Sequence, residues 1–221
     1  MDTELNISQD IIFVDCFNTI IFRKNSSRKI FARWAEKLSK EFKLSSKQVL
    51  KFYKRAEVLL CVKKIIRERT LIEKFEKVIE KVFDLLVKKY PNLEKNEFIN
   101  FAENVYIEVE ADNHYVKADF INYLTQLKSS GKTLYVVSDF YCSSEVLLIW
   151  LKKLGLDHLF SAIYSSCDFD KEKATGKIYK HLIKKLNLNP ENIIMMGDNF
   201  WSDCFMARQN HLNALNIKRR F

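Results

Sequence analysis

The chain is poor in the residues that interrupt regular structure. Four glycines and two prolines in 221 residues leave no room for long disordered linkers or for a low-complexity segment. Cysteine is sparse and scattered: Cys16, Cys61, Cys142, Cys167 and Cys204 are odd in number and show no C-x-x-C spacing. That argues against a disulfide framework and against a zinc site, and fits a reducing compartment. No apolar run approaches the ~18 residues that a membrane span requires. Residues 1–6 are polar and carry acids, unlike a secretory signal. A cytoplasmic protein with no membrane partner is expected.

What remains is ordinary globular material, 48% hydrophobic and long enough for a sizeable core. The formal charge of +9 is unevenly spread. Residues 22–116 hold 22 Lys+Arg against 14 Asp+Glu, whereas the rest holds 15 against 14. Such a bias is most simply a set of solvated helices. It also supplies a field that draws in anionic substrates. No nucleic-acid-binding motif accompanies it, so no nucleic-acid partner is expected.

Five short apolar runs read as strands: residues 11–15, 134–138, 162–165, 193–196 and 214–217. Helical patterns separate the later ones, at 145–154 and 178–186. Strands alternating with helices imply a parallel sheet with crossovers. Residues 23–116 differ, with helical periodicity near 27–43, 46–68, 70–89 and 94–110. Leu71, Phe75, Val78, Ile79, Val82, Phe83 and Leu86 form one apolar stripe. The expected architecture is α/β: a Rossmann-like five-stranded parallel sheet, built from 1–22 and 117–221, interrupted by an all-helical subdomain at 23–116.

The strand endings carry the chemistry. Ile11, Ile12, Phe13 and Val14 lead into Asp15, and Ile193 to Met196 lead through Gly197 into Asp198, with Asp203 five residues on. An ionised carboxylate ending an apolar run is costly unless the strand opens into a site. In open parallel sheets, ligands bind outside those ends. A third run, Leu134 to Val137, ends in Ser138 and Asp139, and a lysine-rich stretch contains Lys173. Carboxylate oxygens suit a hard cation such as Mg2+, and a cation, a lysine and a hydroxyl suit a phosphoryl group. Each residue also has a plainer reading: Asp15 and Asp203 as helix caps, Ser138 as a turn residue, Lys173 as a surface lysine.

These residues together resemble the haloacid dehalogenase-like (HAD) superfamily, which is mostly phosphatases, over nearly the whole chain. Asp15 to Thr19 matches its D-x-x-x-T motif, Ser138 its strand-ending hydroxyl, and Gly197, Asp198 and Asp203 its G-D-x-x-x-x-D motif. Lys173 best matches the third motif, with Lys171 and Lys177 as competitors. The resemblance implies a nucleophilic Asp15 that forms an aspartyl-phosphate. It also implies Mg2+ on Asp15, Asp198 and the Phe17 carbonyl, with Asp203 ligating directly or through water. Ser138 and Lys173 would hold the phosphoryl group, Thr19 would orient the loop, and the insert would be a cap hinged near 20–25 and 115–118. Arg23 and His114, beside those hinges, are further candidates for binding a small phosphorylated substrate.

One position departs from the pattern. Phosphatases of the superfamily usually carry a second Asp two residues after the nucleophile, as general acid and base; here that residue is Phe17. An acid from the cap (His114 or Tyr115), a leaving group needing little protonation, or a weakly active binding module would each account for it. The D-x-aromatic-x-T pattern resembles metal-independent 2-haloacid dehalogenases. It also resembles a D-x-F-(D/N)-T subgroup found near surface-polysaccharide enzymes, which implies a sugar- or polyol-linked phosphate. Dehalogenases lack the acid after the fourth-motif glycine, so Asp198 favours the Mg2+-dependent phosphomonoester hydrolase.

Overall fold

The five apolar runs become strands of one parallel sheet: β1 (Ile11–Val14), β2 (Thr133–Ser138), β3 (Ala162–Ser165), β4 (Ile193–Gly197) and β5 (Asn213–Asn216), in the order β3-β2-β1-β4-β5. The structure is a computed structural model and describes residues 7–68 and 73–217. β1 is central, and Ile12, Phe13 and Val14 are fully buried. A near-continuous apolar run is what a strand covered on both faces requires. The chain moves outward from β1 to β2 and β3, then returns to lay β4 on the other side of β1. The strand order therefore reverses at β1, and the crevice at its carboxyl end is where ligands of such sheets bind.

By its contacts the chain divides into two units. The α/β unit comprises the residues up to Phe22, Val116–Asp139, and those from Leu154 on. Its helices include α5 (Ala118–Ser129) and α7 (Lys177–Leu186). Ile178, Tyr179 and Leu182 of α7 pack with Phe13, Val137, Tyr164, Ile193 and Met195 of the sheet. The helical unit comprises Arg23–Tyr115 and Phe140–Lys153. It contains α1 (Ser27–Phe42), α2 (Ser46–Glu68), α3 (Phe75–Leu86), α4 (Lys95–Asp112) and α6 (Ser144–Lys153).

The apolar spacing explains the helical unit. Ile30, Trp34 and Leu38 repeat every four residues along α1 and are buried, and Phe75, Val78, Ile79, Val82, Phe83 and Leu86 are the buried face of α3. Leu71, the expected start of that stripe, lies outside the described residues, as do residues 1–6. Two buried indoles find carbonyls on α4, as buried Trp N–H groups must: Trp34 donates to Ala102 at 2.8 Å and Trp150 to Ile107 at 3.0 Å. The second bond draws α6 to α4, so residues 140–153 group with the helices, whereas the sequence reading assigned 117–221 wholly to the sheet. Among the described residues no helix is long and apolar enough to cross a membrane.

Candidate active site

Parallel register sets the geometry. Val14 pairs with Val136 on one side and with Met196 on the other. Asp15 is the next residue, and its amide donates to the Met196 carbonyl at 2.8 Å. One flanking strand ends in Ser138 and the other leads through Gly197 to Asp198, so the three polar residues share one sheet edge. The chain then turns back: Ile20 and Ile21 donate to the Cys16 carbonyl. Thr19, buried, donates its hydroxyl to Asp15 Oδ2 at 3.2 Å. That bond helps to hold the carboxylate in place.

Lys173 stands at the centre. It lies in a short turn ended by Gly176, and its side chain is 2% exposed. Its Nζ donates to Asp15 Oδ1 at 2.5 Å and to Asp203 Oδ1 at 2.7 Å. Its competitors are elsewhere: Lys171 Nζ donates to the Phe169 carbonyl at 3.1 Å, and Lys177 is exposed at the start of α7. Carboxylate oxygens of Asp15, Asp198 and Asp203 lie within 4.8 Å of one another.

Asp203 is held by the segment that carries it. Phe200–Phe205 forms a turn of π-helix that buries Asp203 and leaves Phe200, Trp201 and Phe205 exposed. The Asn199 amide donates to Asp203 Oδ2 at 3.0 Å and the Ser202 hydroxyl to Oδ1 at 3.2 Å. Asn199 caps the turn, its Oδ1 accepting from the amides of Trp201 and Ser202. Gly197 is required by this packing. A Cβ there would stand 2.2 Å from Asp203 Oδ2 and 2.4 Å from Cγ.

The electrostatics follow from burial and charge. Burial pushes Asp15 up to about 7; Lys173 opposes the shift, and Asp203 and Asp198 add to it. Burial alone would lower Lys173, but Asp15 and Asp203 outweigh it and hold its ammonium well above the usual lysine range. Among the described residues, three acids gather where Lys173 pairs with two of them. A divalent cation fits that donor set, since hard cations take carboxylate oxygens. Both oxygens of Asp203 already accept bonds, as do both oxygens of Asp15, so the two acids are held in place alike for a cation or a metal-bound water.

Asp139 escaped the sequence reading as a site residue. Its carboxylate accepts the amide of Lys173 at 2.7 Å (Oδ1) and that of Ala174 at 3.1 Å (Oδ2). It thereby ties the Lys173 turn to the end of β2, one residue after Ser138. The usable signal was a second polar residue directly after a strand-ending hydroxyl. Tyr179 is a further support, its hydroxyl donating to the Ser202 carbonyl at 2.8 Å.

Arg23 and His114 come together within the helical unit, on Glu110. Arg23 Nε forms an ion pair with Glu110 Oε1, and His114 Nε2 lies 3.3 Å from the same oxygen. His114 is buried edge-on against Trp150, and Tyr115 is exposed.

Against known proteins, the family model described as haloacid dehalogenase-like hydrolase matches residues 9–211. The chain belongs to that family and is a hydrolase of the HAD superfamily. A glyceraldehyde 3-phosphate phosphatase of Methanothermobacter thermautotrophicus is 27% identical over 96 residues, which cover 42% of this chain and 41% of that protein. The 2-haloacid dehalogenase of Pseudomonas syringae pv. Tomato DC3000 shares the fold with a TM-score of 0.67 at 12% identity, over 94% of this chain and 86% of that one. A HAD phosphatase of Thermococcus onnurineus does so with a TM-score of 0.59 at 19% identity, over 96% and 87%. Both activities therefore occur on this fold, and the site must decide between them.

Proposed function

We propose that the protein is a Mg2+-dependent phosphomonoester hydrolase working through Asp15. The observation that carries this reading is the surplus of carboxylate around one lysine: Asp15, Asp198 and Asp203 gathered within 4.8 Å, with Lys173 bonded to two of them. Mg2+ would be held by Asp15, Asp198 and the Phe17 carbonyl, with Asp203 acting through water, and would supply positive charge for the phosphoryl oxygens. A metal-free displacement at carbon has no use for Asp198.

Asp15 attacks phosphorus with one carboxylate oxygen while the bond from phosphorus to the ester oxygen breaks. The alcohol departs with that electron pair and takes its proton from solvent. Water then attacks phosphorus, releasing inorganic phosphate and restoring the carboxylate. Lys173 offsets charge on both the nucleophile and the phosphoryl group, and Ser138 donates its hydroxyl to a phosphoryl oxygen. Thr19 and Asp139 hold Asp15 and Lys173 in place. Phe17 cannot protonate the leaving group, a contribution typically worth ~10²–10⁴-fold, so good leaving groups are favoured. The pairing of Arg23 and His114 with Glu110 supports a structural role for both over contact with a sugar- or polyol-linked phosphate.

The test is phosphate release from a panel of sugar phosphates, polyol phosphates and p-nitrophenyl phosphate, with Mg2+ and with EDTA, for the wild type and Asp15→Asn. Release that needs Mg2+ and is abolished by the substitution is expected. Phe17 favours a second reading, displacement of halide from a 2-haloacid. Halide release in EDTA, with no phosphate release from any ester, would establish that reading instead.

A further inference from the structure

The α/β unit contains a cavity of about 390 Å³ that shares Asp198 and Thr19 with the acid cluster. That size suits a small organic ligand. Its remaining lining is Asn18, Phe22, Lys117, Phe120 and Ile217. Lys117 is the one cation among the described residues that line it. The lysine caps the first turn of α5, half-buried, and its Nζ stands 4.9 Å from the centre of the Phe22 ring. Phe120, buried in that same turn, Ile217, directly after β5, and Phe22 make one part of the wall apolar, beside the polar Asn18 and Thr19.

This lining discriminates by charge. Mg2+ on Asp15 and Asp198 would serve the phosphoryl group, so an anionic group elsewhere on the substrate needs positive charge of its own within the cavity. Lys117 supplies that charge at a position distinct from Lys173, which is committed to Asp15 and Asp203. An uncharged polyol gains little from an ammonium set among Phe22, Phe120 and Ile217. A carboxylate or second phosphate gains a charge-assisted bond that the apolar walls shield from water. We infer that Lys117 is a specificity-determining residue and that the substrate is a phosphate monoester bearing a second anionic group on its leaving alcohol. This rests on the hydrolase reading above.

Matched pairs test it: 3-phosphoglycerate against glycerol 3-phosphate, and 2-phosphoglycolate against ethyl phosphate. The wild type is expected to favour the dianionic-headed member of each pair by about tenfold or more in kcat/KM, the worth of one charged hydrogen bond. Lys117→Met should bring the ratio near one by raising KM for that member, and Lys117→Arg should restore it. The same ligands titrated into Asp15→Asn protein with Mg2+ should show the same Lys117-dependent preference without turnover. Equal treatment of the pair by the wild type, or a preference that survives Lys117→Met, overturns the inference. Phosphate release without a Lys117-dependent preference sinks this site and keeps the hydrolase. A Lys117-dependent preference in binding, with no release from any ester, keeps the site and sinks the hydrolase.

Discussion

Each unit of the molecule buries an ionic cluster, and the two are built to opposite purposes. In the helical unit, Glu110 is 1% exposed and holds Arg23 and His114, with Trp150 against the imidazole and Phe140 under the guanidinium. One acid meets one permanent cation, inside aromatic packing. In the α/β unit, three acids meet one lysine at the open ends of strands, beside a cavity. The first arrangement is balanced as it stands. Among the described residues the second gathers three acids on one lysine, a donor set that suits a further cation.

The largest break in this comparison is Lys173→Met. It leaves Asp15 and Asp203 buried without their cation, which costs about 3–5 kcal/mol of stability. It also removes charge aimed at the phosphoryl group, so phosphate release should fall by about 10³-fold or more. Added Mg2+ should recover part of the lost stability and little of the rate. Urea unfolding with and without Mg2+, beside initial rates, separates the two losses. A variant as stable in EDTA as the wild type would mean that Lys173 does not hold the acids apart.

Gly197→Ala strikes the same cluster through sterics. The new methyl would overlap the Asp203 carboxylate, 2.2 Å from Oδ2 in the present geometry. Asp203 must move, dragging its bonds to Lys173, Asn199 and Ser202. Overpacking of this kind costs about 1–3 kcal/mol. Displacing a site group by even ~1 Å can cost ~10²-fold in rate. Full activity in this variant would remove Asp203 from the mechanism.

Glu110→Gln makes the matching cut in the helical unit. Arg23 loses its acid but is a quarter exposed, so the expected cost is about 2 kcal/mol, below that of a fully buried pair. The loss should be the same in Mg2+ and in EDTA, because the cation that Glu110 meets is Arg23 and not a metal ion. A Mg2+-dependent loss would show that the two clusters are linked.

The contrast between the clusters was partly legible in the sequence. Asp15, Ser138 and Asp198 stood out because each ends or follows an apolar run, and register brings them to one end of the sheet; Asp203 and Lys173 stood out by spacing and by their match to the family motifs. β3 was readable to the residue, since Ala162 to Ser165 is flanked by Ser161 and Ser166. The place of α6 was not readable. Its Val146, Leu147, Ile149 and Trp150 fit any apolar partner, and the partner is fixed by contacts made across the sequence, among them the bond from Trp150 to Ile107 and the packing of Trp150 on Tyr106. Asp139 was hidden for the same reason: its two acceptor bonds run to backbone amides that carry no side-chain signature. Arg23 and His114 were visible as residues near an expected hinge, but Glu110, which joins them, sits in the last turn of α4, where an acid ordinarily means solvent.

The last contrast comes from pH, where the two units should differ in sign. Asp15 is raised from its ordinary 3.8 to about 7, so between those values the folded protein keeps a proton that the unfolded chain has lost. Stability in EDTA should therefore fall as pH rises from about 4 to about 7, and Mg2+ or Asp15→Asn should flatten that slope. Lys173 adds none of this slope, because its raised pKa matters only above about pH 10. In the helical unit, Asp112 is lowered by its bond from Lys153 at 2.6 Å. Its contribution is present above pH 4 and lost only as pH falls below that. Asp112 is largely exposed, so solvent screening limits it to about 0.5 kcal/mol or less. Thermal unfolding from pH 3 to 8 in EDTA, for the wild type, Asp15→Asn and Asp112→Asn, should resolve both limbs. A neutral limb in the wild type that matches Asp15→Asn would mean that Asp15 is ionised without a metal, and that Lys173 alone suffices to hold it so.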